Sequence, residues 1–184
     1  MKKDHRLYFY ALVPPEEIQA SVTEIKKDFR DRFKAGHALK SPPHITLIPP
    51  FEFLFSDENR LIKYLELFAS EESSFLQVLE NFGTFPPKVI YVRVLKSESL
   101  LDMYKRFRKF MELNLGLGKK SYSSGKFKPH MTVAFRDLTP ENFYLAKTAY
   151  AQKQVSFRFL VQSICLLRHN GQHWDILHEA VFKT

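Results

Sequence analysis

One pattern, proline–histidine–apolar–threonine–apolar, occurs twice in the chain, as Pro43-His44-Ile45-Thr46-Leu47 and as Pro129-His130-Met131-Thr132-Val133. In an extended segment, alternate side chains point to opposite faces. His44 and Thr46 therefore share one face while Ile45 and Leu47 share the other, and the second copy divides in the same way. Such a strand must keep its apolar residues on a core and its histidine and threonine at a wet surface. Two of them, with the histidines 86 residues apart, call for a fold that offers this environment twice.

The surrounding elements repeat in the same order. Leu7 to Val13 is aromatic and β-branched, ends at Pro14-Pro15 and predicts a strand. From Glu16 to about Phe33, Ile18, Val22, Ile25, Phe29 and Phe33 recur at helical spacing, with Gly36 at the helix end. A short extended stretch over His37 to Lys40 leads to the first motif strand, which the spacing stops at Pro49-Pro50. Asp57 can cap a helix carrying Leu61, Ile62, Leu65 and Phe68, and Phe75 to Leu79 reads as a strand. The order then begins again. Val89 to Val94 is a strand, and Ser99 to about Leu115 is a helix on Leu101, Tyr104, Phe107, Met111 and Leu115. A basic loop, Gly116 to Lys128, precedes the second motif strand. Thr139-Pro140 opens a helix, Val155 to Leu167 reads as one long strand, and Asn170-Gly171 as a hairpin turn into Trp174 to Phe182. The order predicts one domain over residues 1–184, with approximate pseudo-repeats 1–86 and 87–184 packed as two lobes about a cleft.

The 184 residues are 45% apolar and 26% charged, which describes a globular chain. No apolar run approaches the ~18 residues of a membrane span, and the segment Met1 to Arg6 before Leu7 reads as the approach to a strand rather than a signal peptide. Cys165 is the single cysteine, so an intramolecular disulfide is excluded and a cysteine metal site disfavoured. A reducing cytoplasm is the expected location. The formal charge of +8 favours anionic partners. Lys119, Lys120, Lys126, Lys128 and Arg136 bracket the second motif, and Lys40 precedes the first.

Two histidines and two threonines facing one cleft would supply a proton acceptor, a proton donor and two hydroxyl donors, a set suited to a phosphodiester. Other histidines fit less well. His169, His173 and His178 with Asp175 are poorly spaced for convergent metal ligands and read as an exposed hairpin; His5 and His37 read as surface residues. Most of the 18 phenylalanines and eight tyrosines must be core, but Phe51, Tyr122, Phe127 and Phe135 lie near the motifs, where an aromatic can stack on a nucleobase.

The two tetrapeptides, at this separation in a basic chain of this length, resemble those of the 2H phosphoesterase superfamily, which includes RNA 2',3'-cyclic phosphodiesterases, also described as 2'-5' RNA ligase-like proteins. The resemblance implies an α+β fold of two pseudo-symmetric lobes around a central groove, each a mainly antiparallel sheet with helices on its outer face. It implies catalysis by His44, His130, Thr46 and Thr132, with no metal and no cofactor. Candidate substrate contacts are Arg136, Lys128 and Lys126 for phosphate and Phe51, Phe135 and Tyr122 for bases. Arg136 stands farther from its motif than the family pattern places arginine, with Phe135 between. The implied reaction is hydrolysis of 2',3'-cyclic phosphate ends of RNA or nucleotides, with 2'-5' RNA ligation, the joining of a 5'-hydroxyl to the cyclic phosphate, as a secondary activity. The expected partners are RNA ends or nucleotides bearing cyclic phosphate or 2'-5' linkages, with no membrane, no obligate protein partner and a monomeric chain. A non-catalytic nucleotide-binding module, or a phosphodiesterase for a small cyclic-phosphate metabolite, are the rival readings, and the choice of acid and base stays open.

Overall fold

A computed structural model describes residues 4–117 and 127–183. Four α-helices form where the apolar periodicity requires them: α1 (Glu16–Phe33), α2 (Glu58–Ala69), α3 (Glu98–Leu115) and α4 (Pro140–Tyr150). Ser97 and Thr139 cap α3 and α4 through their side-chain oxygens, which accept from the amides of Leu100 and Asn142. Asp57 sits at the cap position of α2 but makes no capping bond; its carboxylate pairs with Arg60 instead. Gly36 does not close α1. Lys34 takes the left-handed conformation at φ 55°, and the amide of the buried Ala35 reaches back to the carbonyl of Phe29. Single turns of 3-10 helix cover His37–Lys40 and Phe55–Asp57.

Eight strands form two four-stranded antiparallel sheets. They are β1 (His5–Leu12), β2 (Ile45–Leu54), β3 (Phe75–Phe85), β4 (Val89–Val94), β5 (His130–Ala134), β6 (Ser156–Val161), β7 (Ser163–His169) and β8 (Trp174–Val181). The first sheet runs β2-β1-β7-β8 and the second β5-β4-β3-β6. The sheets therefore do not divide the chain at residue 86: β3 joins the second sheet, and β7 and β8 return to the first. The expected long strand over Val155–Leu167 is two strands in different sheets, parted at Gln162. β6 alternates exposed and buried residues, whereas the first five residues of β7, between β1 and β8, are buried without alternation. The polar pair Gln162-Ser163 stands at the change, between the alternating β6 and the apolar run Ile164 to Leu167.

Pro49-Pro50 does not stop the first motif strand either. β2 continues to Leu54, and the prolines fall where the pairing with β1 shifts register between Tyr10↔Ile48 and Tyr8↔Phe51. Lacking an N–H, proline is tolerated at an edge strand and at a bulge; β2 offers both.

One large apolar cluster joins the buried faces of both sheets to the helices, from Tyr8, Tyr10 and Leu12 through Val22, Phe29, Ile45 and Leu47 to Val92, Phe107, Met131 and Val133. Helix α2 packs on β7 and β8, α4 on β4, and α1 on β5 and α4. A smaller cluster of Phe9, Ala11, Cys165 and Leu167, with Val13 and Trp174 against it, forms on the opposite face of the first sheet. None of the described helices is long and apolar enough to cross a membrane.

Candidate active site

Both motif strands are edge strands, β2 of the first sheet and β5 of the second, and they lie in contact with each other. Ile45, Leu47, Met131 and Val133 are buried, which turns His44, Thr46, His130 and Thr132 to the other side. All four line one cavity of about 630 Å³, together with Phe9, His37, Phe85, Phe135, Arg136 and Trp174. The four residues expected to act together are thus brought together.

The two imidazoles are held alike. His44 Nδ1 lies 2.7 Å from the carbonyl oxygen of Pro42, and His130 Nδ1 lies 2.7 Å from that of Lys128. A carbonyl can only accept, so each neutral ring carries its proton on Nδ1 and keeps a lone pair on Nε2. Aromatic rings wall both sites. His44 packs against Phe9 at 4.8 Å between centroids, and Phe9 meets Trp174 edge-on. His130 packs against Phe85 at 5.0 Å and Tyr91 at 5.2 Å. Burial among these groups pushes the His44 imidazolium down to about 4, with the charges of Lys26 and His130 adding to the effect against the Pro42 hydrogen bond. Burial lowers His130 as well, opposed by its bond to Lys128. Both rings are therefore neutral at pH 7.

Arg136 reaches the cavity because its backbone turns left-handed, at φ 59°. Its guanidinium lies over the Phe135 ring and 3.4 Å from His37 Nε2. The His37 amide donates to Asp137 at 2.7 Å, so the turn before the first motif is tied to the loop after the second. Burial and the nearby Arg136 charge lower the proton affinity of His37. His37 is therefore a groove residue, not the surface residue its sequence context suggested. The same holds for His169, which lines the cavity beside Trp174. No group of residues suited to a metal occurs among the described residues; Asp175 accepts from Asn170 and His178 pairs with Glu66.

Of the other expected substrate contacts, Phe135 lines the groove. Phe51 does not: beyond the bulge of β2 it turns to the core, where it packs against Tyr8 and Tyr10. Phe127 likewise stacks on Tyr104. Lys128 contributes its carbonyl to His130, and its side chain is exposed. Lys126 and Tyr122 lie outside the described residues. Phe9, Trp174 and His37 went unrecognised because only tertiary packing brings them to the motifs.

A family model described as the 2'-5' RNA ligase superfamily matches residues 14–173. Among curated relatives, a Staphylococcus epidermidis protein named "Putative phosphoesterase" is 29% identical, covering 91% of this chain and 94% of that one. A Geobacillus protein of the same description is 31% identical, over 71% of this chain and 69% of its own length. Among solved structures, TT0787 of Thermus thermophilus matches with a TM-score of 0.68 at 22% identity, over 96% of this chain and 98% of that one. Apo LigT of E. coli matches with a TM-score of 0.69 at 14% identity, over 99% and 100%. The fold, an α+β pair of four-stranded antiparallel sheets, is that of these neighbours. With the family model spanning both motifs and most of the chain, the protein belongs to the 2'-5' RNA ligase superfamily, the 2H phosphoesterases.

Proposed function

We propose that the protein is a cyclic phosphodiesterase that opens 2',3'-cyclic phosphate ends of RNA or nucleotides by acid–base catalysis with His44 and His130. The observation that carries this reading is the paired geometry: two imidazoles from two sheets open on one cavity, each with Nδ1 tied to the carbonyl two residues before it. That tie leaves two Nε2 atoms for proton transfer, while Thr46 and Thr132 are on hand to donate to non-bridging oxygens as charge builds.

The deeper burial of His44 supports one division of the roles. His44 stays neutral far below neutrality and takes a proton from the attacking water. His130 gives a proton to the departing ribose oxygen, having become protonated when the phosphate anion enters, since a nearby negative charge favours imidazolium. Arg136 and His37 stand at the rim for the rest of the ligand. Crystal structures of E. coli LigT complexed with 3'-AMP and with ATP lend support to a nucleotide as the occupant. Water opens the ring to a phosphomonoester, and a 5'-hydroxyl attacking in its place, with the 3'-oxygen leaving and taking up the proton, would form a 2'-5' linkage.

The test is incubation with an oligonucleotide ending in 2',3'-cyclic phosphate and, in parallel, a cyclic mononucleotide. Conversion to one phosphomonoester, abolished in His44→Ala and His130→Ala, is the expected result. Binding of both ligands without turnover would replace the enzyme by a binding module, and turnover of the mononucleotide alone would replace RNA by a small metabolite.

A further inference from the structure

Helix α1 buries Val22, Lys26, Phe29 and Phe33. Lys26 is out of place in that stripe, with 1% of its surface exposed and no carboxylate paired with it among the described residues. A buried ammonium without a counter-charge is among the most expensive groups a fold can carry. Its Nζ donates to the Ser41 carbonyl oxygen at 3.0 Å. Ser41 begins the segment Ser41-Pro42-Pro43, and the Pro42 carbonyl is the one that accepts from His44 Nδ1. The lysine thus grips the peptide immediately before the one that orients the catalytic imidazole. Two prolines follow, and their fixed φ carries the restraint forward.

We propose that Lys26 is a positioning residue for His44, acting from α1 through the Ser41–Pro43 segment. It holds the Pro42 carbonyl where the ring must keep its proton on Nδ1, and it places a positive charge behind the ring. His130 has the matching carbonyl bond but no lysine among its perturbing charges, so the two otherwise similar sites differ at this point. The inference rests on the reading of His44 as the base.

Burial lowers the Lys26 ammonium to about 7, still well above His44. Lys26 is therefore charged throughout the range in which His44 titrates, and its charge opposes protonation of the ring. The other titratable groups around the pair are Lys40 from the 3-10 turn and His173 from the β7–β8 loop, both beside Lys26 in a cavity of about 200 Å³. Across the groove stand His130, His37, His169 and Arg136. A readout confined to His44, with His130 as the internal control, separates the lysine from this background.

The experiment is ¹⁵N NMR of imidazole-labelled protein, wild type, Lys26→Met and Lys26→Gln, titrated from pH 8 down to pH 3. In wild type both rings show the Nδ1–H tautomer at pH 7. Lys26→Met, which removes donor and charge, makes His44 a mixture of tautomers and moves its titration upward by roughly 0.5–1 unit, as expected for loss of a nearby like charge. Lys26→Gln, which can still donate to Ser41, keeps the tautomer and shows only the upward titration. His130 changes in neither. A His44 tautomer and titration that match wild type in both variants, or an equal change at His130, overturns the proposal. Because no turnover is measured, this result is independent of whether the cyclic phosphodiesterase reading survives.

Discussion

Gly83 and Tyr91 are paired across β3 and β4, and the wall behind His130 depends on that pair. A methyl group built on Gly83 would stand 2.5 Å from Cε2, 2.7 Å from Cζ and 2.8 Å from Oη of Tyr91. Carbon atoms are comfortable only at about 3.5–4.0 Å, so in Gly83→Ala the ring has to leave. It would lose its packing on Phe85, 4.6 Å away, and on His130, 5.2 Å away. Two aromatic contacts at ~0.5–1.5 kcal/mol each give about 1–3 kcal/mol. The alanine returns about 0.4–1 kcal/mol by restricting the unfolded chain, so the net loss lies between about 0 and 2.6 kcal/mol, with mid-range values of about 1–2 kcal/mol. For a chain of this size that corresponds to a fall in Tm of about 2–8 °C. The assay is a double-mutant cycle by thermal and urea unfolding. In a Tyr91→Ala background the obstacle is gone, and the same Gly83→Ala change becomes neutral or stabilising by up to ~1 kcal/mol. Equal cost in both backgrounds would refute the idea that Gly83 exists to admit the Tyr91 ring.

Removal of either imidazole, His44→Ala or His130→Ala, is expected to lower kcat by roughly 10²–10⁴ with little change in unfolding midpoint, measured on a cyclic-phosphate substrate; retained turnover in both would contradict the paired mechanism. Arg136→Ala should raise KM more than it lowers kcat, since the guanidinium stands at the rim beside His37, and a change confined to kcat would place it at the reacting atoms instead. Stability should fall in acid through His44. Between pH ~6.5, where the unfolded imidazole titrates, and pH about 4, where the folded one does, only the unfolded chain takes up the proton. Folding stability is therefore intact above that window and is lost progressively on descending through it, by roughly 2–3 kcal/mol at pH ~4.5. Denaturant unfolding of wild type and His44→Gln at both ends of the window checks this, the variant showing the smaller acid loss.

The motifs were legible because a strand imposes a period of two on whatever sits at a wet edge. His44 with Thr46 and His130 with Thr132 need no tertiary information to be placed on one side. The helices were legible for the analogous reason, their buried residues recurring at helical intervals. What escaped depends on contacts between distant segments. His37 gains its place from Arg136 and Asp137, some hundred residues away. Phe51 shares the odd-numbered face of Ile45 and Leu47, and the two register shifts of β2 against β1 together leave it on that core side; proximity to the motif was the wrong guide there and alternation the right one. The break at Gln162 is marked only by the polar pair Gln162-Ser163 and by the change from alternation to the apolar run Ile164 to Leu167; which sheet each half joins is set by its distant partners. Lys26 was the missed opportunity: it falls four residues after Val22 and three before Phe29, on the apolar stripe itself, and a charged residue at such a position is a visible anomaly.

The route of the chain between the sheets bears on how the protein is made. All strands of the second sheet come from one continuous stretch, residues 75–161, whereas the first sheet pairs β1 with β7 across more than 150 residues. During synthesis the sheet bearing His130 can assemble as its segment emerges from the ribosome. The sheet bearing His44 stays unfinished, with its β1 edge unprotected, until β7 arrives. Long-range pairing of this kind is slow and exposes unpaired strand edges, so nascent chains that have not yet exposed β7 should be the ones most in need of a chaperone.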